Sequence, residues 1–298
     1  MNAITTKKLT KYYGKSRGIA DVDLTVPAGD FFGFIGPNGA GKSTTIRTLL
    51  GLIRPTQGTA EIFGTEIGCG REAILSDVGY MPSEANLYPG MRVGEVLRFS
   101  ARLRGLDCEK EAEELCRRLE LDTGKKIREL SLGNRKKVSI VCALQHRPKL
   151  CILDEPTSGL DPLMQREFYE ILKERNGGGA TVFLSSHVLS EVQRYCKHAA
   201  VIRAGRILVS DSIEHLSSTQ AKRVTVRGIG EAPSLSGIRN VTISGDTVNF
   251  LYSGAPGELL AALAALPLTD IQISEPDLEE VFLHYYAEEG TKDDTTCA

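Results

Sequence analysis

The chain has 298 residues, of which 41% are hydrophobic and 25% charged, a globular balance that excludes wholesale disorder. Thirty-six Lys and Arg stand against 38 Asp and Glu, a net charge of -2, so nothing favours nucleic acid as a partner. No apolar run approaches the roughly 18 residues of a membrane-spanning helix, and the opening MNAITTKKLT has no signal core, so a cytosolic chain is expected.

Short β-branched runs alternate with helical patterns, which predicts an α/β fold with a mostly parallel sheet flanked by helices. Phe31 to Ile35 reads as the first clear strand. It runs into Gly36-Pro37-Asn38-Gly39-Ala40-Gly41-Lys42-Ser43-Thr44, and a helix through Ile46, Leu49 and Leu50 follows. That loop fits GxxxxGK[ST] in the strand–loop–helix context the pattern needs. Its glycines let successive N–H groups turn around an anion, and the helix N-terminus adds partial positive charge. Lys42 can reach the β- and γ-phosphates of a nucleoside triphosphate, and the Ser43 hydroxyl can ligate Mg2+.

Further along, Val96, Phe99, Leu103 and Leu106 repeat at helical spacing, as do Ala112, Leu115, Cys116 and Leu119. Helical signals continue toward His146, which predicts a helical insertion. Leu150 to Leu153 reads as a buried strand ending in Asp154-Glu155, and Thr181 to Leu184 as another. A carboxylate at a strand's C-terminal end lies at the ligand-binding edge of an open α/β sheet. Asp154 is therefore suited to hold Mg2+, and Glu155 to act as general base. After about Lys222 the texture changes to a small α+β region. Val241/Ile243 and Val248/Phe250 flank the turn Ser244-Gly245-Asp246-Thr247, a helix follows Pro256, and a last helix carries Leu278, Val281, Phe282, Tyr285 and Tyr286 on one face. The seven cysteines (69, 108, 116, 142, 151, 196 and 297) are scattered without a CxxC pair, which argues against a disulfide framework or zinc site. Cys142 and Cys151 read as small core hydrophobes.

The run ILDEPTSGLD, ending at Asp161, closely resembles the Walker B and D-loop of ATP-binding cassette (ABC) proteins. Leu130-Ser131-Leu132-Gly133-Asn134 lies where that family carries its LSGGQ signature, and Ser185-Ser186-His187 resembles its switch histidine. Lys11-Tyr12-Tyr13-Gly14 resembles its adenine-stacking loop. The resemblance implies a cassette over 1–221 with a helical subdomain at about 84–146, an accessory region over 222–288 and a disordered tail over 289–298. It implies that Tyr13 stacks on the base, that His187 touches the γ-phosphate, and that Ser131 and Gly133 contact the γ-phosphate held by a second subunit. Asp161 would shape the boundary between the subunits. The second subunit would be another copy or a paralogue, and ATP and Mg2+ the cofactors.

Two departures stand out. Ser83, then Glu84, follows Tyr80-Met81-Pro82 where the family has a Mg2+-contacting glutamine. Leu132 and Asn134 replace a glycine and the glutamine of the signature. MRVGEVLRFSARLRGL and SEPDLEEVFLHYY resemble the ATPase subunits of bacterial exporters that serve antibiotic and lantibiotic efflux. That implies a separate transmembrane permease docked on the helical insertion and the loop around Ser83, near Leu87 and Tyr88, and a peripheral place on the inner face of the membrane. A soluble ABC ATPase of translation or repair, and a P-loop kinase, are the competing readings. The first usually has two cassettes or long coiled coils, and the Ser131 motif with DEPTSGLD argues against the second.

Overall fold

A computed structural model describes residues 1–274 of the chain, except 69–70, 85 and 218–221. The expected helix carrying Leu278 to Tyr286, the tail 289–298, Cys69 and Cys297 lie outside the described residues. The chain divides into a unit over Met1–Asp211 and a second from Ser212 onward.

In the first unit, β1 (Asn2–Tyr13) and β2 (Ser16–Pro27) precede β3 (Phe31–Ile35) and α1 (Lys42–Leu49). Then come β4 (Gln57–Ile62), β5 (Thr65–Glu66), α2 (Arg71–Ser76) and β6 (Val78–Met81). The insertion holds α3 (Val93–Leu103), α4 (Glu109–Arg118) and α5 (Leu132–Leu144). The unit continues through β7 (Leu150–Asp154), α6 (Pro162–Gly177), β8 (Thr181–Ser186), α7 (Leu189–Tyr195), β9 (His198–Arg203) and β10 (Arg206–Ser212).

Six strands form the central sheet in the order β10-β9-β3-β8-β7-β6. The pairs β9–β3, β3–β8, β8–β7 and β7–β6 are parallel. β3, β7 and β8 are buried at every position. That is why they read as unbroken apolar runs rather than alternations, since helices cover both faces of a parallel sheet. Phe183 packs between Phe32 and Phe34, with ring centroids 5.9 and 5.3 Å away. Ile46 and Leu49 pin α1 to the same core. Cys151 of β7 is also fully buried, and burial pushes its thiol up to about 12, whereas Cys142 on α5 is half-buried.

A second, antiparallel sheet in the order β2-β1-β4-β5 is not foreseen in the sequence. Register shifts between Thr6 and Leu9, and again near Lys11, break the alternation that would announce β1. The face of α3 also differs from expectation. Val93, Val96, Leu97 and Ala101 are its buried side, while Phe99, Leu103 and, beyond its end, Leu106 are exposed. The helix stops at Leu103, and Gly105 takes φ +66°, so the spacing through Leu106 is not that of one continuous helix.

The second unit holds α8 (Ile213–Ser217), β11 (Lys222–Arg227), β12 (Ile238–Ser244), β13 (Thr247–Tyr252), α9 (Pro256–Ala264) and β14 (Asp270–Ser274). Its sheet runs β12-β13-β11-β14, all antiparallel. Ser244 pairs with Thr247 across the expected turn, and Leu259 and Leu263 of α9 pack on Val224, Val226, Val248 and Phe250. β14 is an additional edge strand, and its Ile271 and Ile273 remain partly exposed.

Candidate functional site

The C-terminal ends of β3, β7 and β8 gather the chemistry along one edge of the sheet. After β3, the loop closes on Gly41, which takes φ +110° and caps α1, a conformation that a side chain would strain. The first N–H groups of α1 have no intrahelical acceptor, which leaves them open to an anion. Gly36 sits where a Cβ would come 2.3 Å from the Ile202 carbonyl. The N–H of Ala40, which is buried behind the loop, donates to the Pro37 carbonyl at 3.1 Å.

Lys42 begins α1 and is 6% exposed. Its ammonium donates to the carbonyls of Gly36 (2.5 Å) and Pro37 (3.2 Å) and lies 3.1 Å from Glu155 Oε1. Beside it, the Ser43 hydroxyl donates to Asp154 Oδ2 at 2.7 Å, and Ser185 Oγ donates to Asp154 Oδ1 at 2.5 Å. Asp154 is almost wholly buried at the end of β7, as the strand pattern predicts. The Ser43 and Asp154 oxygens form a hard donor set of the kind that suits Mg2+.

Glu155 takes φ +50°, an unusual backbone for a residue with a side chain. Its N–H lies 3.2 Å from both the carbonyl and the hydroxyl of Ser185. Its Oε2 accepts from His187 Nδ1 at 2.6 Å, which draws the residue after β8 to the carboxylate after β7. These contacts hold a conformation that typically costs about 1–3 kcal/mol.

A cavity of about 400 Å3 lies over this edge, a volume suited to a small-molecule ligand. Tyr13, Gly39, Lys42, Ser43, Ser83 and Glu155 are among its lining residues, with Pro37, Asn38, Gly41 and Thr44. Tyr13 ends β1 with its ring about half exposed and the Lys11 ammonium 5.3 Å from its centroid. Ser131, Gly133, Asp161 and His187 are not among the lining residues. Ser131 caps α5 by accepting from the Asn134 N–H at 3.2 Å, and Asp161 caps α6 by accepting from the Met164 N–H at 3.0 Å. Gly133 approaches Gly159 so closely that a Cβ would come 2.6 Å from its carbonyl oxygen.

Two polar residues of this region are not marked by any motif. Glu191 accepts from Thr157 Oγ1 (3.1 Å) and Ser186 Oγ (3.2 Å), joining the segment after β7 to the end of β8. Lys136, inside α5, donates to the Glu155 carbonyl at 2.6 Å. Its one sequence signal is a lysine pair just ahead of the apolar run from Val138, and both lysines are buried, so the pair does not say which of them reaches Glu155.

A GxxxxGK[ST] loop between a strand and a helix, a strand-end Asp-Glu pair and a histidine brought to that glutamate define a P-loop nucleotide-binding cassette. The family model described as "ABC transporter" matches residues 19–158. The chain is 34% identical to the bacitracin transport ATP-binding protein BcrA of Bacillus licheniformis, over 94% of this chain and 96% of that one. It is 32% identical to the linearmycin resistance ATP-binding protein LnrL of Bacillus subtilis, over 94% and 97%. Among solved structures, the ATP-binding subunit of an ABC transporter aligns with TM-score 0.68 at 33% identity, covering 72% of this chain and 91% of that one. A dimeric bacterial ABC transporter cassette aligns with TM-score 0.65 at 25% identity, over 70% and 98%. The chain belongs to the ABC transporter family: it is an exporter-type ATP-binding subunit, and an ATPase whose turnover is coupled to transport.

Proposed function

We propose that two copies of the chain close head to tail around two ATP·Mg2+ and drive a separate permease that exports an antibiotic-type compound. One observation carries this reading. The cavity holds Lys42, Ser43 and Glu155, while the Ser131-capped start of α5, a second anion-binding helix end, is not part of that cavity in the same chain. A second copy would bring its Ser131 and Gly133 to the γ-phosphate, and Asp161 would lie near that seam.

In this reading Tyr13 stacks on adenine, and residues 36–44 wrap the phosphates with backbone N–H groups. Lys42 exchanges its contact with Glu155 for the β- and γ-phosphates. Ser43 and Asp154 hold Mg2+, with Ser83 contributing through water. The metal neutralises phosphate charge when bound. Glu155 takes the proton of the attacking water, and His187 keeps the carboxylate aimed while touching the γ-phosphate. Loss of that phosphate removes the contacts across the seam and lets the pair open.

The membrane partner would dock on the insertion. Tyr88 is 63% exposed and meets Phe99 edge-on at 6.2 Å, with Leu103 exposed on the same helix as Phe99. A groove of about 460 Å3 opens between α3 and α4, walled by Leu97, Ala101, Ala112 and Cys116. No helix of the described residues is long and apolar enough to cross a membrane, which fits a subunit held at the inner face by its permease. The cargo class follows relatives named for bacitracin transport, linearmycin resistance and daunorubicin resistance. The test is purification of the chain from detergent-solubilised membranes of its host. A polytopic membrane protein is expected to copurify and to be lost in Tyr88→Glu/Leu103→Glu. Copurification with ribosomes or DNA instead would support the soluble-ATPase reading.

A further inference from the structure

Lys136 lies on α5, the helix that Ser131 caps, yet its side chain turns into its own chain. It is 3% exposed, and its ammonium donates to the Glu155 backbone carbonyl at 2.6 Å. Burying an ammonium is costly unless its charge is satisfied. Burial lowers the Lys136 pKa, while Asp154 and Glu155 draw it back up. The carbonyl it holds belongs to a glutamate in the left-handed region, whose N–H is held on the other side by Ser185. Such a backbone persists where the surroundings over-determine it. Rotation of the 155 peptide would swing the carboxylate away from both Lys42 and His187. On the same helix, Gly133 packs directly on the Gly159 carbonyl, so α5 touches the segment after β7 at two places.

We propose that Lys136 is a positioning residue: its grip on the Glu155 carbonyl fixes the backbone that aims the Glu155 carboxylate at the attacking water. Because Ser131 heads the same helix, that grip ties the aim of Glu155 in one nucleotide site to the docking of Ser131 and Gly133 on the nucleotide of the other. The inference rests on the reading of Glu155 as general base and Ser131 as the contact across the seam.

Lys136→Met keeps the aliphatic stem and removes the donor. In the full-length chain we expect kcat to fall roughly 10- to 100-fold, the penalty of a misaimed catalytic group. KM and the ATP dissociation constant are expected to stay within about twofold, because no ATP-binding group is removed. The decisive comparison is a double-mutant cycle with Glu155→Gln. If Lys136 acts through Glu155, Lys136→Met/Glu155→Gln is no slower than Glu155→Gln alone. A merely structural lysine gives losses that multiply. A parental kcat in Lys136→Met, a loss carried by KM, or multiplying losses would each overturn the proposal. Where Lys136→Met does not fold, Lys136→Leu, which also lacks a donor, enters the same cycle with the same expectations. A slow Glu155→Gln beside a parental Lys136→Met would overturn this inference alone, whereas a parental rate in Glu155→Gln would overturn the general-base reading and this inference with it.

Discussion

The central sheet carries a carboxylate–histidine pair at each end, and the two differ in almost everything but chemistry. At the C-terminal ends of the strands, His187 meets Glu155 at 2.6 Å. At the N-terminal ends, His198 meets Asp30 at 2.8 Å. Asp30 also accepts from the Phe31 N–H at 2.8 Å, so it closes the start of β3 and has no cavity in front of it among the cavities described. Glu155 instead adopts a left-handed backbone, lines the cavity over the 36–44 loop and faces Lys42. Side-chain identity does not separate the pair proposed for catalysis from the one that only holds the fold. Position along parallel strands does, because strand ends and the following helix N-termini concentrate anion-binding groups at the C-terminal edge.

The largest expected contrast comes from breaking each pair. Glu155→Gln is expected to lower kcat by about 100-fold or more while leaving ATP affinity near parental, as for loss of a general base. Asp30→Ala is expected to leave turnover per folded molecule nearly unchanged. Equal loss of turnover in the two would dissolve the distinction. Next in size, Lys42→Ala is expected to weaken ATP binding by roughly 10- to 100-fold, the loss of charge-assisted contacts to phosphate. Isothermal titration would show it. Ser131→Arg is expected to spare binding of ATP to the single chain and abolish hydrolysis, because it lies outside the chain's own cavity; weakened binding to the monomer would contradict that placement.

The structural end has its own signature. Asp30→Ala is expected to cost about 1–3 kcal/mol of stability, since it strips a buried N–H and a histidine of their acceptor. Denaturant melts would read it. A pH-dependent effect of similar size concerns His146, whose Nε2 meets the Val78 carbonyl at 3.2 Å. Burial, with Arg104 nearby, lowers its pKa from 6.5 to about 4. The folded chain therefore holds His146 neutral while the unfolded chain protonates it near 6.5. Stability from this residue is present above that pH and is lost as pH falls toward 4. His146→Asn is expected to flatten that slope in melts between pH 7 and 4.5, and an unchanged slope would assign the acid sensitivity elsewhere.

What could be read from sequence follows the locality of the physics. The 36–44 loop and the strand ending at Asp154 are contiguous, so type and spacing announce them. The pairing of His187 with Glu155 joins two strand ends and is announced by no local pattern; the resemblance implies only that His187 touches the γ-phosphate. Lys136 escapes notice because its partner is a backbone carbonyl on another segment. The β1–β2 hairpin is obscured by register shifts, and the outward turn of Phe99 and Leu103 is set by tertiary packing rather than apolar spacing. In the second unit the β12–β13 hairpin is legible from its turn residues, while β14 has no such marker.

The account stands on a triphosphate shared between two copies of the chain. Light scattering on Glu155→Gln, with and without ATP·Mg2+, measures that directly. A mass near that of the 32.4 kDa chain is expected without nucleotide, and twice that mass with it. The doubling is expected to vanish when Ser131→Arg is added. A single-chain mass at saturating ATP, with the nucleotide fully bound, would contradict the account.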